Sequence, residues 1–185
     1  MAKIIIISAS VRKGKKSDRI ALFFQNYIHE NKLADVELVD LAAYNFPLFE
    51  ERLRFYKDPT PQMLQFAKTV EEADGIVIIT PEYNGGYPAS LKNAIDLLYA
   101  EWKRKPIALA SVSAGPFGAA QVLTSIQFTL WKIGALMVPA AFQVPSVEQS
   151  YSEDGIPVDV ESANKRAAAF IGELLYWIEA KKAVS

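Results

Sequence analysis

The chain has 185 residues, 20 basic against 21 acidic side chains, a formal net charge of −1, no cysteine and a hydrophobic fraction of 51%. One domain over residues 1–185 is the expectation at that length, which buries a core without covalent staples. The absence of cysteine excludes disulfides, thiolate nucleophiles, zinc-thiolate sites and cysteine-ligated clusters. The balanced charge offers no global field for nucleic acid or an anionic membrane, so any anion site is local.

The apolar run Ile4 to Ile7 is too short for a signal segment or a membrane span, and a cytoplasmic protein without membrane or nucleic-acid partners is expected. Lys3 to Ser8 is apolar and β-branched at consecutive positions, so both of its faces demand burial, as in a central parallel strand. Residues 17 to 31 place Ile20, Phe23, Phe24, Tyr27 and Ile28 on one helical stripe, with Ser17 as N-cap. Val36 to Leu41 reads as a second strand, followed by a long aromatic connection over 42 to 59. Thr60 and Pro61 start a helix with Met63, Phe66, Ala67 and Val70 inward.

Gly75 to Thr80 is a buried strand that Pro81 ends, and Pro88 opens a helix whose Leu91, Ile95, Leu98 and Trp102 share a face. Pro106 to Val112 is the fourth strand, and Val122, Ile126, Leu130 and Ile133 mark the next helix. Ala135 to Val138, with a further piece over Ala140 to Val144, makes the fifth strand, and residues 161 to 181 the last helix. Strands alternating with helices imply a parallel α/β sheet, because each right-handed crossover returns the chain in the same direction. Ligands then bind beyond the carboxyl ends of the strands, where strand order reverses.

The loops at those ends carry the candidates. Ser8 to Ser17 joins a strand to a helix start and holds Ser10, Arg12, Lys13, Lys15, Lys16 and Ser17. Helix-start amides, hydroxyls and a guanidinium suit a phosphate dianion; a solvated basic turn is the plainer account. Asp18 in the same turn is expected to face away from the anion. Neither Gly-x-x-x-x-Gly-Lys-[Ser/Thr] nor Gly-x-Gly-x-x-Gly occurs here, which excludes the usual nucleoside triphosphate and dinucleotide fingerprints.

In Thr80 to Pro88, paired Gly85 and Gly86 permit close backbone approach, Tyr83 and Tyr87 offer aromatic faces, and Asn84 supplies a donor and an acceptor. That combination suits a planar heterocycle. A tight turn would need only the glycines and Pro88, leaving Glu82, Tyr83 and Asn84 unexplained. In the third loop, Ser111 to Gly118, Ser113 and Gly115 either let the chain pass close to such a ring, or Ser113 caps the following helix. His29, the sole histidine, reads as a solvated helix-end residue. With no Ser-His-Asp or Cys-His set, a catalyst of this kind borrows its reactive group from a cofactor.

The string Pro81-Glu82-Tyr83-Asn84-Gly85-Gly86-Tyr87-Pro88-Ala89-Ser90-Leu91-Lys92-Asn93-Ala94-Ile95-Asp96, with Ser10-x-Arg12 and Ser113-Ala114-Gly115, resembles the NADPH-dependent FMN reductase family, the flavodoxin-like quinone, azo-dye and chromate reductases. The resemblance runs over nearly the whole chain. It implies a three-layer α/β/α sandwich with a five-stranded parallel sheet in the order 2-1-3-4-5. Ser10, Arg12 and Ser17 would hold the FMN phosphate, with Lys16 or Lys15 as further candidates because Lys15 and Lys16 lengthen this loop by one residue relative to the family's usual pattern. Pro81, Glu82, Tyr83, Asn84 and Gly85 would border the isoalloxazine, largely through backbone groups, and Ser113 and Gly115 would complete the ring site.

The implied reaction is ping-pong: NADPH or NADH gives hydride to flavin N5, and the flavin reduces a quinone, azo dye, free flavin or metal oxyanion. No protein acid or base is required. A flavodoxin-type electron carrier or flavin-binding sensor is the alternative; carriers usually present a strongly acidic face, and the near-neutral charge balance weighs against that role. The resemblance also implies a homodimer or a dimer of dimers, with Leu97, Leu98, Tyr99 and Trp102 as candidate contact residues.

Overall fold

The computed structural model describes residues 1–184. Strands β1 (Lys3–Ser8), β2 (Asp35–Asp40), β3 (Gly75–Pro81), β4 (Pro106–Val112) and β5 (Leu136–Val144) form one sheet in the order β2-β1-β3-β4-β5. All neighbouring pairs are parallel. The helices are α1 (Asp18–Glu30), α2 (Leu41–Tyr44), α3 (Pro61–Glu72), α4 (Ala89–Leu97), α5 (Ala120–Lys132), α6 (Val147–Ser150) and α7 (Val160–Ala183). This is the flavodoxin-like order that the resemblance implies.

The consecutive apolar runs have a direct cause. Successive side chains leave a strand on opposite faces, and both faces of this sheet are covered. Ile4, Ile6, Val77, Ile79, Ala108 and Ala110 pack with α1 and α7. Their neighbours Ile5, Ile7, Ile76, Ile78, Ile107 and Leu109 pack with α3, α4 and α5. Gly75 lets α7 come close, since a Cβ there would stand 2.6 Å from Ile178 Cδ1.

The chain leaves β1 for β2 on one side and crosses back to β3 on the other, so strand order reverses between β1 and β3. Their carboxyl ends flank the switch point where such sheets bind ligands. The connection over 42 to 59 contains α2 and a short 3-10 turn, Leu53–Phe55.

Several expectations change. The helix after the tyrosine-asparagine loop ends at Leu97, and Trp102 belongs to a separate 3-10 turn, Ala100–Trp102. Its indole N–H donates to the Ile95 carbonyl at 3.1 Å, which folds the turn back onto α4. The two pieces of the fifth strand are one strand whose register against β4 slips between Ile107 and Leu109. Pro139 falls within that slip, where an edge strand tolerates a residue without an N–H.

Candidate functional site

The first loop leaves β1 and is fixed from beneath. The Ala9 amide donates to the Ile79 carbonyl at 3.0 Å, and Ser90 Oγ at the start of α4 donates to the Ala9 carbonyl at 2.6 Å. Gly14, at φ +69, makes the turn that returns the chain to α1. Ser10 is wholly buried; its Oγ accepts from the Arg12 amide at 3.3 Å and lies 2.7 Å from Tyr83 OH.

The cations of this loop divide into two groups. Lys15 is tied to Asp40 and, at 3.0 Å, to Asp18. Lys16 meets Glu148 at 2.9 Å, and the hydrogen bond from its ammonium holds that carboxyl below the usual range. Arg12 and Lys13 are exposed, and no acidic side chain among the described residues pairs with either. Asp18 is held by the Ser8 hydroxyl at 2.9 Å and by Lys15, so its charge is already compensated inside the protein.

Ser17 is not a capping residue. Its backbone is already helical, at φ −62 and ψ −23, and its side chain makes no cap bond. Side-chain capping uses an extended N-cap backbone, as Thr60 shows at the start of α3, where its Oγ1 accepts from the Met63 amide at 3.3 Å. The Ser17 hydroxyl is instead buried with no hydrogen-bond partner among the described residues, a state that costs about 1–3 kcal/mol. A phosphate at the start of α1 would satisfy it and would meet Arg12 and the helix-start amides. The residues present therefore fit such a group.

The second loop is a two-residue hairpin. The Tyr83 amide donates to the Gly86 carbonyl at 2.8 Å, and the Gly86 amide returns to Tyr83 at 3.1 Å. Asn84 and Gly85 between them have φ of +53 and +79, the requirement of a type I′ turn and the reason for an Asn-Gly pair. The Glu82 side chain has a structural partner: its Oε2 accepts from the amides of Gln121 at 2.9 Å and Val122 at 3.1 Å, capping α5 from outside. Ala119, the residue before that helix, is left-handed at φ +55 and has no side chain to cap with.

The third loop sits beside the second through that cap. Ser113 does not cap the following helix, which starts only at Ala120; its hydroxyl donates to the Gly115 carbonyl at 2.7 Å. That carbonyl also accepts from the Ser146 amide at 2.9 Å. A Cβ added at Gly115 would meet nothing within 4 Å, so this edge is open.

The mouths of β1, β3 and β4 thus converge. Ser10 to Tyr83 joins the first loop to the second, and Glu82 to α5 joins the second to the third. Sequence reasoning gives no role to Asp40 or to the hydroxyl of Ser90. Asp40 is legible in principle, because parallel pairing of β1 and β2 sets Ser8 opposite Asp40. Two grooves lie away from these mouths. One, of about 710 Å³, lies between α5 and β5 and includes Phe128, Trp131, Met137 and Pro139. The other, of about 510 Å³, lies between α4 and α5 and shares Phe128.

Residues 2–149 match the family model described as NADPH-dependent FMN reductase. The chain is 31% identical over 169 residues to the NAD(P)H-dependent FMN reductase LOT6 of Saccharomyces cerevisiae, covering 84% of this chain and 87% of that one. It is 25% identical over 189 residues to a quinone reductase of Pseudomonas putida, covering 98% and 97%. Among solved structures, FerB of Paracoccus denitrificans, a flavoenzyme NAD(P)H:(acceptor) oxidoreductase, superposes with a TM-score of 0.79 at 26% identity, over 97% of this chain and 98% of that one. With the match spanning most of its length, this chain belongs to the NADPH-dependent FMN reductase family and is an oxidoreductase of that FMN- and NAD(P)H-dependent kind.

Proposed function

We propose that the three converging loops form the FMN site of an NAD(P)H-dependent reductase of small planar acceptors. The observation that carries this reading is the buried, unpartnered Ser17 hydroxyl at the start of α1, on the same loop as the unpaired Arg12. Ser10, Arg12 and Ser17 hold the phosphate. Lys15 is occupied by two carboxylates and Lys16 by Glu148, so neither is the first choice for it. Pro81, Tyr83, Asn84 and Gly85 border the ring through backbone groups that the type I′ turn holds in place. Glu82 supports them by fixing the second loop to α5, and Ser113 and Gly115 form the open edge.

Held there, FMN would supply the redox chemistry that couples oxidation of NADPH or NADH to reduction of a quinone, azo dye, free flavin or metal oxyanion. The protein's share is to bind and orient. It presents a rigid backbone edge to the ring and keeps an open side for donor and acceptor in turn. Family membership favours this over the electron-carrier alternative. A cysteine-free chain drawing on reduced nicotinamide nucleotides suits the cytoplasm, and no helix among the described residues is long and apolar enough to cross a membrane.

The chain acts as a homodimer or a dimer of dimers in this reading, through a different surface from the one expected. Leu97, Leu98 and Trp102 are buried in the chain's own core, leaving only Tyr99 of that set exposed. Phe128, which lines both grooves, and Trp131, which lines the first, are 68% and 65% exposed on α5 with their ring centroids 5.6 Å apart, and offer the better face.

A spectrum of the purified chain after FMN addition, followed by anaerobic NADPH and then a quinone, tests the function. The expected course is flavin absorbance, bleaching, and recovery with the quinone. A chain that takes up no flavin has no such site, and bound flavin that NADPH leaves oxidised indicates a carrier or sensor.

A further inference from the structure

Ser10 is shut off from solvent at the mouth of β1. A serine hydroxyl has one proton to give and two lone pairs to fill. The Arg12 amide fills one of them. Tyr83 OH, from a loop 73 positions away in sequence, lies at 2.7 Å, and the shared proton has two arrangements. With Ser10 as donor, its proton is spent inside the protein. With Tyr83 as donor, both lone pairs of Ser10 are occupied, and its own O–H is the one valence left to give.

An anion at the mouth selects the second arrangement, because only there does it gain a charge-assisted donor from Ser10. The sequence Tyr83 O–H to Ser10 O–H to anion is then polarised along its length. The reciprocal bonds between Tyr83 and Gly86 fix the backbone from which the phenol departs. A tyrosine beside Asn84 and Gly85 reads in the sequence as an aromatic wall for the ring; its hydroxyl instead engages the anion loop.

Resting on the FMN-site reading above, we propose that Tyr83 serves the phosphate end of that site as a positioning residue, holding the Ser10 hydroxyl as an outward donor and setting a preference for FMN over phosphate-free riboflavin.

Flavin-free protein is titrated with FMN and with riboflavin by fluorescence quenching, using the wild type, Tyr83→Phe, Ser10→Ala and the double variant. Tyr83→Phe keeps the ring and removes only the hydroxyl. FMN binding is expected to weaken about three- to tenfold, the effect of one hydrogen bond, with riboflavin binding unchanged. The double variant should bind FMN no more weakly than Ser10→Ala alone, since Tyr83 acts through Ser10. Equal losses for both flavins, additive losses in the double variant, or undiminished FMN binding by Tyr83→Phe would overturn the proposal. Thermal midpoints of the four proteins show that each is folded, and the comparison between Ser10→Ala and the double variant uses FMN alone. A wild type that binds neither flavin removes the FMN reading itself, and this inference with it.

Discussion

At the amino end of the sheet, polar groups are buried and answered; at the carboxyl end, one is buried and unanswered. Lys105 is only 5% exposed, yet its ammonium donates to the carbonyls of Glu71 and Ala73 as α3 runs out. Beside it, Asp74 accepts from the Lys3 amide at 2.9 Å and meets Lys182 at 3.3 Å, while the Lys3 ammonium bridges Glu37 and Glu72. At the other end, among the described residues, Ser17 has no hydrogen-bond partner for its hydroxyl and Arg12 has no carboxylate. The buried lysine is the more conspicuous feature, but two carbonyls of its own chain receive its ammonium. The serine is a small residue in an ordinary place, and its missing partner is the one that the proposed phosphate would supply.

The largest effect expected from this contrast is a pH ramp at the amino end. Burial, and behind it the charge of Lys181, push the Lys105 ammonium from 10.5 down to about 8. Between those values the unfolded chain holds the extra proton, so stability rises with pH across that window, by about 3 kcal/mol in all. The neutral amine still has two N–H groups for its two carbonyls. Lys3 acts in the opposite sense: its hydrogen bond to Glu72 raises its value, so its contribution is present below 10.5 and lost as pH climbs through the higher folded value. Urea unfolding of the wild type and Lys105→Met from neutral pH to about pH 10.5 separates the two. The wild type should gain on the variant as pH rises, and Lys105→Met should bind FMN normally at neutral pH. A constant gap between the curves would mean that Lys105 is not desolvated, and the amino end would lose its claim to a buried charge.

The next effect is at the carboxyl end and touches binding alone. Arg12→Ala should weaken FMN binding by about 1–3 kcal/mol, the loss of a charge-assisted hydrogen bond. Its unfolding midpoint should not move, since the exposed guanidinium has no partner to lose. Lys16→Ala gives up an exposed pair with Glu148, which is worth little, and should leave FMN affinity nearly intact. A larger loss from Lys16→Ala than from Arg12→Ala would reverse the assignment of free and occupied cations.

The sheet was legible because burial on both faces leaves uninterrupted β-branched runs, as in Ile4 to Ile7 and Ile76 to Ile79. The candidate loops were legible because Asn84-Gly85 and Ser10-x-Arg12 are rich in groups that a plain connection does not need. What the sequence hid was the partner of each side chain. Glu82 beside a tyrosine and an asparagine reads as a ring contact, and only the folded chain brings the amides of Gln121 and Val122 to it. Leu97, Leu98 and Trp102 are as apolar as an interface requires, but apolarity does not say whether the cover is a second copy or the chain's own α3, whose Phe66 meets Trp102 at 6.1 Å between ring centroids. Ser17 before a helix reads as a cap on composition alone, and its helical backbone denies it that role.

The smallest effect is also the most discriminating, because it has opposite signs in the two states of the protein. Replacing an N-cap serine with alanine normally destabilises by about 1 kcal/mol, through loss of the bond to a helix amide. Ser17 makes no such bond, and its hydroxyl is desolvated without return. Ser17→Ala should therefore raise the stability of the flavin-free protein by up to about 1 kcal/mol, as removal of an unsatisfied buried group does. The same change deletes a donor to the phosphate, so FMN binding should weaken and the rise in melting temperature on adding FMN should shrink. Thermal unfolding of both proteins, with and without FMN, reads the two signs in one experiment. If Ser17→Ala lowers the midpoint of the flavin-free protein, the hydroxyl is serving the helix after all. The carboxyl end would then be as self-sufficient as the amino end, with nothing in its packing that asks for an anion.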